Sequence, residues 1–201
     1  MKDNSRTQAE RSATTKDALL RAARPLFATH GFGAVSAESI AKAAGVTRGA
    51  MYHQFADKTE VYAAVLEQIE DEVMARIATG IADAPDDDVL EVMKTGARIW
   101  LDACAEPAVH RIVLIEAPSV LGWERWREVS MRHGMGMVQA LVQDAIDTGR
   151  IPRQPVLPLA HVLIGALDEA AIYLARSDGS AKTREEVDVI IDRLVDAIFA
   201  G

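Results

Sequence analysis

The sequence lacks several features that mark secreted, membrane-bound or disulfide-rich proteins. Cys104 is the only cysteine among 201 residues, so no disulfide can form within the chain, and a cytoplasmic protein is expected. No apolar run approaches the roughly 20 residues that a membrane span requires. The N-terminal stretch MKDNSRTQAERSATT is polar and lacks the apolar core of a signal peptide. We therefore expect no membrane partner.

Motifs for catalysis, nucleotide binding and metal binding are missing as well. The glycine pairs in GFG (31–33) and GMGM (134–137) match neither the dinucleotide-binding nor the P-loop pattern. No catalytic triad or carboxylate pair is legible, and His110, His133 and His161 do not have the spacing of metal ligands. The sequence therefore predicts no cofactor, no metal and no enzyme. An enzyme whose site is assembled from distant residues stays open as an alternative.

Basic residues are few and unevenly placed. The chain has a formal net charge of −8, yet residues 1–58 hold 9 Lys and Arg against 5 Asp and Glu, a balance of +4. The remainder holds 13 against 25, a balance of −12. Such an asymmetry indicates a small cation-rich segment on an acidic body, which keeps nucleic acid among the candidate partners.

Apolar residues recur at helical spacing along most of the chain, and no strand pattern or internal repeat is present. Residues 1–13 are polar without periodicity and are expected to form a disordered tail. The predicted helices cover 14–31 (with a bend at Pro25), 36–45, 47–54, 58–79 and, after APDDD (84–88), a series that ends near residue 199. The prediction is an all-α fold with about nine helices.

The predicted helix at 47–54 is too short to form alone in water, so its neighbours must pack it in place. Gly45 stops the helix before it, for which Ser36 is a suitable N-cap, and Asp57 with Glu60 has the spacing of a capping box for the helix after it. The side chains expected to face the core are Val46, Met51 and Phe55. Those expected to face outward, where they can touch a partner, are Thr47, Arg48, Tyr52 and His53.

Three short helices with a Gly-containing turn between the second and third match a helix-turn-helix, whose last helix lies in the DNA major groove. Arg48 can donate two hydrogen bonds to one guanine, whereas Tyr52 and His53 can donate to phosphates. Gly49 removes a side chain where the helix would approach DNA. Lys58 begins the next helix although the helix dipole disfavours a cation there, so either a phosphate lies nearby or the lysine is simply solvated.

The stretch LLRAARPLFATHGFGAVSAESIAKAAGVTRGAMYHQFADKTEVYAAVL (19–66) resembles the TetR family of transcriptional regulators. The shared features are an apolar helix that ends in Phe27 and Gly31, the AlaGlyVal turn at 44–46, Tyr52 with Phe55, and Lys58. The resemblance implies a DNA-binding domain at 14–58 and a helical effector-binding and dimerisation domain at 59–201. Carried over by position, it implies DNA contacts from Ser36, Ala37, Thr47, Arg48, Gly49, Tyr52, His53 and Lys58.

One position departs from the family pattern: Ala37 offers no hydrogen bond where the family often has Ser or Thr. The resemblance otherwise implies a ligand-responsive repressor that binds a palindromic operator in double-stranded DNA as a homodimer and is released by a small organic effector. A helical interaction module that does not bind DNA is a further alternative. The presence of Arg48, Tyr52 and Lys58 weighs against it.

Candidate effector contacts lie on and near an aromatic stripe of the helix that ends at Gly149. The stripe places Trp, Ser, His and Met residues three or four positions apart, which is typical of a buried core face or of a pocket for an apolar ligand. For Cys104, plain core packing is the alternative. The predicted effector contacts are Trp100, Cys104, Arg111, Glu116, Trp123, Trp126, His133 and Met137.

The last two predicted helices, 156–176 and 183–199, carry apolar residues over wide arcs, which requires a second partner besides their own core. Two such helices from each protomer would form a four-helix interface with twofold symmetry. Burial within one chain is the alternative. The predicted interface residues are Leu159, Leu163, Ala166, Ala170, Tyr173, Val187, Ile190, Ile191, Leu194 and Ile198.

Overall fold

Helices make up almost all of the chain that the computed structural model describes, which is residues 3–82, 88–177 and 179–199. Within these ranges there is no strand, so the prediction of an all-α fold is confirmed. The predicted turn at 84–88 lies outside the described residues except for Asp88. The helices are α1 (Asp3–Ala34), α2 (Ala37–Ala43), α3 (Arg48–Gln54), α4 (Lys58–Ala82), α5 (Val89–Ala105), α6 (Pro107–Val109), a π-helical segment (His110–Glu116), α7 (Ala117–Leu121), α8 (Trp123–Asp147), α9 (Val156–Arg176) and α10 (Ala181–Phe199).

Helix α1 begins at Asp3 rather than at the predicted residue 14, so the expected disordered tail is helical from residue 3 onward. The hydroxyl of Thr14, at the predicted start of this helix, donates to the Glu10 carbonyl at 2.8 Å, as Ser and Thr do inside helices. Ser12 Oγ donates to Gln54 Oε1 of α3 at 3.0 Å. The predicted end of the helix coincides with a kink at Gly31, where φ is +78° and ψ is 162°.

The chain divides into two compact units, and the division differs from the predicted boundary after Lys58. Unit 1 comprises residues 1–69 and 107–123, and unit 2 comprises 70–106 and 124–201. Unit 1 thus includes the first turns of α4, because Tyr62 is fully buried against Phe27 and Phe32. The Tyr62 hydroxyl donates to the Ile112 carbonyl at 2.7 Å, which also ties the 107–123 segment to this unit.

Two side chains of the π-helical segment hold the C-terminal end of α1 within unit 1. Arg111 donates to the Ala28 and Thr29 carbonyls at 3.0 and 2.7 Å, and so satisfies acceptors that a helix end leaves unpaired. Glu116 Oε2 accepts from the Phe32 N–H at 2.7 Å. Gly31 has φ of +78°, a conformation that L side chains rarely adopt, and a Cβ there would also overlap the present position of Glu116 Oε1. Both side chains therefore have a structural role that the sequence did not indicate.

Unit 2 is a bundle in which α5 packs against both α9 and α10. One of its apolar cores joins α8, α9 and α10 through Val142, Leu163 and Val195, each at most 4 % exposed. Ion pairs add to the contact between α5 and α10, including Lys94 with Asp196 at 2.5 Å. Leu163 and Val195 of this core also line the cavity described below.

Among the described residues, α9 is the one helix that is long and apolar enough to cross a membrane by length and composition alone. It also carries Asp168, which is buried within unit 2, and it packs against α5 and α10. Only 22 % of its most apolar 18-residue window is buried inside the chain. The helix is therefore part of a helical bundle, and it exposes the apolar residues Leu157, Val162 and Tyr173.

Candidate DNA-reading surface and ligand cavity

Local hydrogen bonds fix α2 and α3 in unit 1. Ser36 and Ser39 form a reciprocal capping box, each hydroxyl accepting from the other residue's N–H at 3.0 Å, which confirms Ser36 as the N-cap. Gly45 turns the chain with φ of +69°, a conformation that L side chains rarely adopt. Thr47 Oγ1 then accepts from the Ala50 N–H at 3.1 Å and caps α3.

The burial pattern of α3 matches the prediction. Met51 is fully buried and Phe55 is 7 % exposed, whereas Val46 is half-buried. The guanidinium carbon of Arg48 lies 5.4 Å from the ring centroid of Tyr52 one turn later, a cation–π contact that keeps the two side chains together. The residues exposed on this face are Thr47, Arg48, Gly49, Tyr52 and His53. Of the remaining candidates before α3, Ser36 is exposed and Ala37 is half-buried.

Gly49 is not required by anything around it in the described chain. A Cβ built on it would meet only Thr47 Oγ1, at 3.9 Å, which is an ordinary van der Waals distance. Glycine inside a helix is less favourable than alanine by about 0.5–1 kcal/mol. The chain therefore carries a destabilising residue on an exposed helical face that has room for a side chain, as expected if a partner approaches there.

Lys58 has partners within unit 1, so the alternative of a simply solvated lysine is wrong. Its Nζ donates to the Phe32 and Val35 carbonyls, both at 2.7 Å, and lies 3.9 Å from the centroid of the Phe32 ring. The predicted cap is confirmed, since Asp57 Oδ1 accepts from the Glu60 N–H at 3.0 Å. Two of the three ammonium donors are thus used near the junction of α1 and α2, and contact of Lys58 with a phosphate stays a prediction.

Replacing Lys58 with methionine is expected to lower the free energy of unfolding by about 2 kcal/mol, because two hydrogen bonds from a charged donor are lost. Chemical denaturation of the full chain measures this change. Lys42→Met is the matched control, since Lys42 is an exposed lysine on α2 of the same unit. Equal stability of the two variants would contradict the structural role of Lys58.

Unit 2 contains a cavity of about 100 Å³, lined almost entirely by apolar side chains. On α4, α5, α8 and α10 the lining residues recur three or four positions apart, so one face of each of these helices points to the cavity, and α9 contributes five further residues. From α4 and α5 they are Glu70, Met74, Ile77, Ile81, Val92, Met93, Gly96, Ala97 and Trp100. From α8, α9 and α10 they are Ser130, Gly134, Met137, Val138, Leu141, Leu163, Ile164, Ala166, Leu167, Asp168, Ile191, Leu194 and Val195.

Four polar side chains line this apolar cavity. Ser130 Oγ donates to Glu70 Oε1 at 3.3 Å, and Asp168 accepts from Arg127. Burial raises the pKa of Glu70 to about 7, and His133 opposes this rise. Burial also raises the pKa of Asp168, against the effect of its Arg127 partner. The fourth polar group, the indole N–H of Trp100, is buried without an acceptor in the described chain.

Of the eight predicted effector contacts, Trp100 and Met137 line the cavity. Trp126 and Cys104 are buried, at 2 % and 4 % exposure, but do not belong to the described lining. Burial raises the pKa of the Cys104 thiol, in keeping with plain core packing. Trp123 is 64 % exposed, so the aromatic stripe does not continue to the first residue of α8.

The structure does not bring the other three predicted contacts to this cavity. Arg111 and Glu116 lie in unit 1, where they hold the end of α1. His133 turns toward α4: its Nε2 is 3.2 Å from Asp71 Oδ1, and its Nδ1 is 2.8 Å from the Val129 carbonyl oxygen. Adjacent residues along α8 point in directions about 100° apart, so Gly134 can face the cavity while His133 does not.

Glu70 and Asp168 are the two acidic cavity residues, and the sequence prediction included neither of them. Glu70 stands in the acidic stretch EQIEDE, where a solvated face is the natural interpretation. The one sequence feature that indicates burial of Glu70 is its position: it lies four residues before Met74 and seven before Ile77, on the apolar face of α4. Within the described residues, no group of three or more His, Cys, Asp or Glu side chains is arranged to hold a metal ion.

The predicted interface residues on α9 and α10 range from buried to exposed. Leu163 and Ile191, at 4 % and 6 % exposure, are buried inside their own chain, so including them was wrong. Ala166 and Leu194 are half-buried in the cavity lining, and Leu159 and Ile198 pack against the core. Ala170 and Val187 are half-buried. Tyr173 and Ile190 are 56 % and 59 % exposed, and three unpredicted residues share this exposure: Leu157, Val162 and Val189.

A capped helix-turn-helix followed by a helical unit with an internal cavity defines the class of ligand-responsive, DNA-binding transcriptional regulators. Comparisons with known proteins give the particular family. Residues 19–65 match the family described as bacterial regulatory proteins, tetR family, and residues 90–198 match the tetracyclin repressor-like C-terminal domain. The chain belongs to the TetR family of transcriptional regulators.

Relatives cover both units of the chain. The Transposon Tn10 TetC protein of Escherichia coli is 28 % identical over 171 residues, 85 % of each chain. The HTH-type transcriptional regulator CymR of Pseudomonas putida is 34 % identical over 104 residues, 51 % of each chain. Among solved structures, a TetR-family transcriptional regulator of Pectobacterium atrosepticum is 30 % identical with a TM-score of 0.81, over 96 % of this chain and 97 % of that one.

Proposed function

We propose that this regulator is a homodimeric repressor that reads a palindromic operator with α3 of each protomer and leaves it when a small organic effector occupies the cavity of unit 2. The observation that carries the proposal is the exposed face of α3, where Arg48 stacks on Tyr52 beside an unobstructed Gly49. The site of action is the cytoplasm, the partners are operator DNA, the effector and a second copy of the chain, and no catalytic role is proposed.

The candidate contacts have different roles at the operator. Arg48 reads a base, because its planar guanidinium can donate to both acceptors of one guanine. Tyr52 and His53 position α3 by donating to phosphates, contacts that carry no sequence information. The remaining proposed contacts are made with the DNA backbone near the N-termini of α2, α3 and α4, by Ser36, Ala37, Thr47, Gly49 and Lys58.

The exposed apolar residues of α9 and α10 support the proposal that the protein is a dimer. Helix α9 has little of its apolar window buried within one chain, and α10 exposes Val189 and Ile190. A second copy would bury both surfaces in a twofold four-helix arrangement. Such a dimer gives the operator its palindromic form, with half-sites about one helical turn, roughly 34 Å, apart.

The cavity of unit 2 supports the proposal that an effector controls operator binding. A ligand can shift DNA binding only by its different affinity for the DNA-bound and the released dimer, so a tenfold loss of operator affinity requires about 1.4 kcal/mol of coupling. Linkage makes the effect reciprocal, and operator DNA must weaken effector binding by the same factor. An effector whose affinity ignores operator DNA would contradict this part of the proposal.

Arg48→Ala tests the assignment of base reading. Operator affinity is expected to fall by about 1–3 kcal/mol, with relaxed preference at one base pair of each half-site. Titration against an operator library measures both effects. Arg132→Ala is the matched control, because it removes an equal charge from an exposed arginine of unit 2. A variant with weaker binding to all sequences alike would make Arg48 a phosphate contact and not a base reader.

A further inference from the structure

The first turns of α1 extend beyond the part of the helix that is buried in unit 1. Leu19 is the first buried residue of α1 among those whose side chains the structure describes, and residues 8–11 are all exposed. A helical segment that buries so little surface adds little to the stability of the unit. The contacts that this segment does make are therefore informative about its role.

Two side chains of this segment lie against the C-terminal end of α3. Ser12 Oγ donates to Gln54 Oε1 at 3.0 Å, and Lys16 Nζ lies 5.8 Å from the centroid of the Phe55 ring, directly after the last residue of α3. Helix α3 has seven residues and is about 10 Å long, whereas the major groove that it is proposed to enter is about 12 Å wide. A helix packed against the end of α3 is therefore within a side chain's length of the phosphates that border the groove.

The course of α1 through unit 1 brings its first turns toward the DNA. The Ala28 and Thr29 carbonyls accept from Arg111 of the π-helical segment, about 24 Å along α1 from Ser12. Helix α3 thus lies at the N-terminal part of α1, and the π-helical segment lies near its other end. The residues before Ser12 continue past α3 in the direction away from the π-helical segment. With α3 in the groove, this direction leads to the DNA backbone.

The charged residues of this segment are separated by helical face. Successive residues of a helix differ by about 100°, which places Arg11 and Lys16 on either side of Ser12, about 100° and 40° from it. Both cations are exposed. Glu10 and Asp17 lie about 140–160° from Ser12, on the opposite face. A phosphate beside the end of α3 would therefore be near two cations of α1, with both carboxylates turned away.

We propose that Arg11 and Lys16 bind operator phosphates that flank the base pairs read by α3, so that the first turns of α1 extend the DNA contact of each protomer. The inference rests on the proposed binding of α3 in the major groove and assigns a second DNA-binding element. The guanidinium of Arg11 can donate two hydrogen bonds to one phosphate, whereas Lys16 acts as a point charge. These contacts add affinity and carry no sequence information.

Arg11→Gln and Lys16→Gln test the contacts one at a time. Each phosphate contact that is lost lowers the slope of log affinity against log salt concentration by about 0.9, so each variant should lower it by about 1.8 on an operator that holds two protomers. Operator titrations between about 50 and 200 mM salt measure the slope. Arg11→Lys keeps the charge and should keep the slope. An unchanged slope in both glutamine variants would overturn the inference.

Arg21→Gln is the matched control. It removes one charge from an exposed arginine of the same helix, but Arg21 lies about 180° from Ser12, on the face of Glu10 and Asp17. Its slope should equal that of the unaltered chain. An equal decrease in Arg21→Gln and Lys16→Gln would show that only the total charge of the helix acts, and would overturn direct contact.

Ethylation of single operator phosphates locates the contacts. An ethyl group removes the charge of one phosphate, so ethylation beside the base pairs read by α3 should weaken binding of the unaltered chain. The same ethylated phosphates should have no further effect on a variant that carries both Arg11→Gln and Lys16→Gln. Identical interference patterns for the unaltered chain and this double variant would overturn the inference.

This inference and the proposed function fail in different ways. Phosphate contacts carry no sequence information, so Arg11→Gln should lower the slope equally on the operator and on an unrelated duplex of the same length. An unchanged slope in Arg11→Gln and Lys16→Gln, together with relaxed sequence preference in Arg48→Ala, would keep α3 as the reader and overturn the role of α1. A lowered slope in both glutamine variants with unaltered sequence preference in Arg48→Ala would support the α1 contacts and contradict base reading by Arg48.

Discussion

Gly49→Leu is expected to weaken operator binding by ten- to hundredfold, about 1–3 kcal/mol, while the protein folds normally. In the described chain a Cβ at this position would meet only Thr47 Oγ1, at a van der Waals distance of 3.9 Å, so we expect a larger side chain to fit. On the operator, the same side chain would stand between α3 and the groove that α3 enters. Even Gly49→Ala should separate the two properties, because it raises helix stability by about 0.5–1 kcal/mol and still lowers operator affinity.

Gly33→Leu is the control for this experiment. Gly33 is also exposed and belongs to the same unit, and a Cβ at this position would have no described atom within 4 Å. Operator titration and thermal unfolding of both variants distinguish a steric effect at the groove from a general effect of an added apolar side chain. Operator binding by Gly49→Leu at the unaltered affinity would mean that this face of α3 does not approach DNA.

The helix-turn-helix could be predicted almost completely from the sequence because its signals are local. The Ser36 cap, the turn at Gly45 and the apolar face of α3 each involve residues within about one helical turn, and periodicity reports such contacts directly. The partners of Lys58 could not be predicted, since Phe32 and Val35 lie 26 and 23 positions away. A lysine that binds distant carbonyls and one that is solvated have the same local pattern.

The cavity was predicted only in part for a related reason. An apolar stripe indicates which face of a helix is buried but not which neighbour that face meets, and neighbours on one helix differ by only about 100°. Gly134 and Met137 therefore line the cavity, whereas His133, which is adjacent to Gly134 along α8, contacts Asp71. Glu70 was missed because an acidic residue inside an acidic stretch is normally solvated. Arg111 and Glu116 lie outside this cavity, in a unit that is formed by distant parts of the chain, and the sequence does not indicate which of these parts meet.

The interface residues on α9 and α10 were also predicted only in part, because periodicity does not identify the neighbour of each apolar residue. Wide apolar arcs on α9 and α10 indicate two partners, but the sequence does not tell which residues meet the chain's own core. The structure gives Leu163 and Ile191 to that core and leaves Val162, Tyr173 and Ile190 exposed. A dimer that forms through α9 and α10 must use the exposed group, and a test has to change a residue that is absent from the core.

Ile190→Asp is expected to convert the dimer to a monomer and to lower operator affinity by about a hundredfold or more. Ile190 is 59 % exposed, so aspartate at this position leaves the single chain folded. In the dimer the new carboxylate would be buried beside its symmetry mate without a cation, which costs several kcal/mol. The expected loss of operator affinity is larger than the loss of one DNA contact. Two linked protomers that bind two half-sites have an operator affinity about 10² to 10⁴ times that of a single protomer.

Light scattering at micromolar concentration and operator titration measure the two effects on the same sample. The control is Ile115→Asp, which adds the same charge at a 42 % exposed isoleucine that belongs to unit 1 and is not among the proposed interface residues. This control should remain a dimer, since it lies outside the proposed interface. A dimeric Ile190→Asp variant would place the interface elsewhere. A monomeric variant with full operator affinity would mean that each protomer reads its half-site independently and that linkage between half-sites contributes nothing to binding.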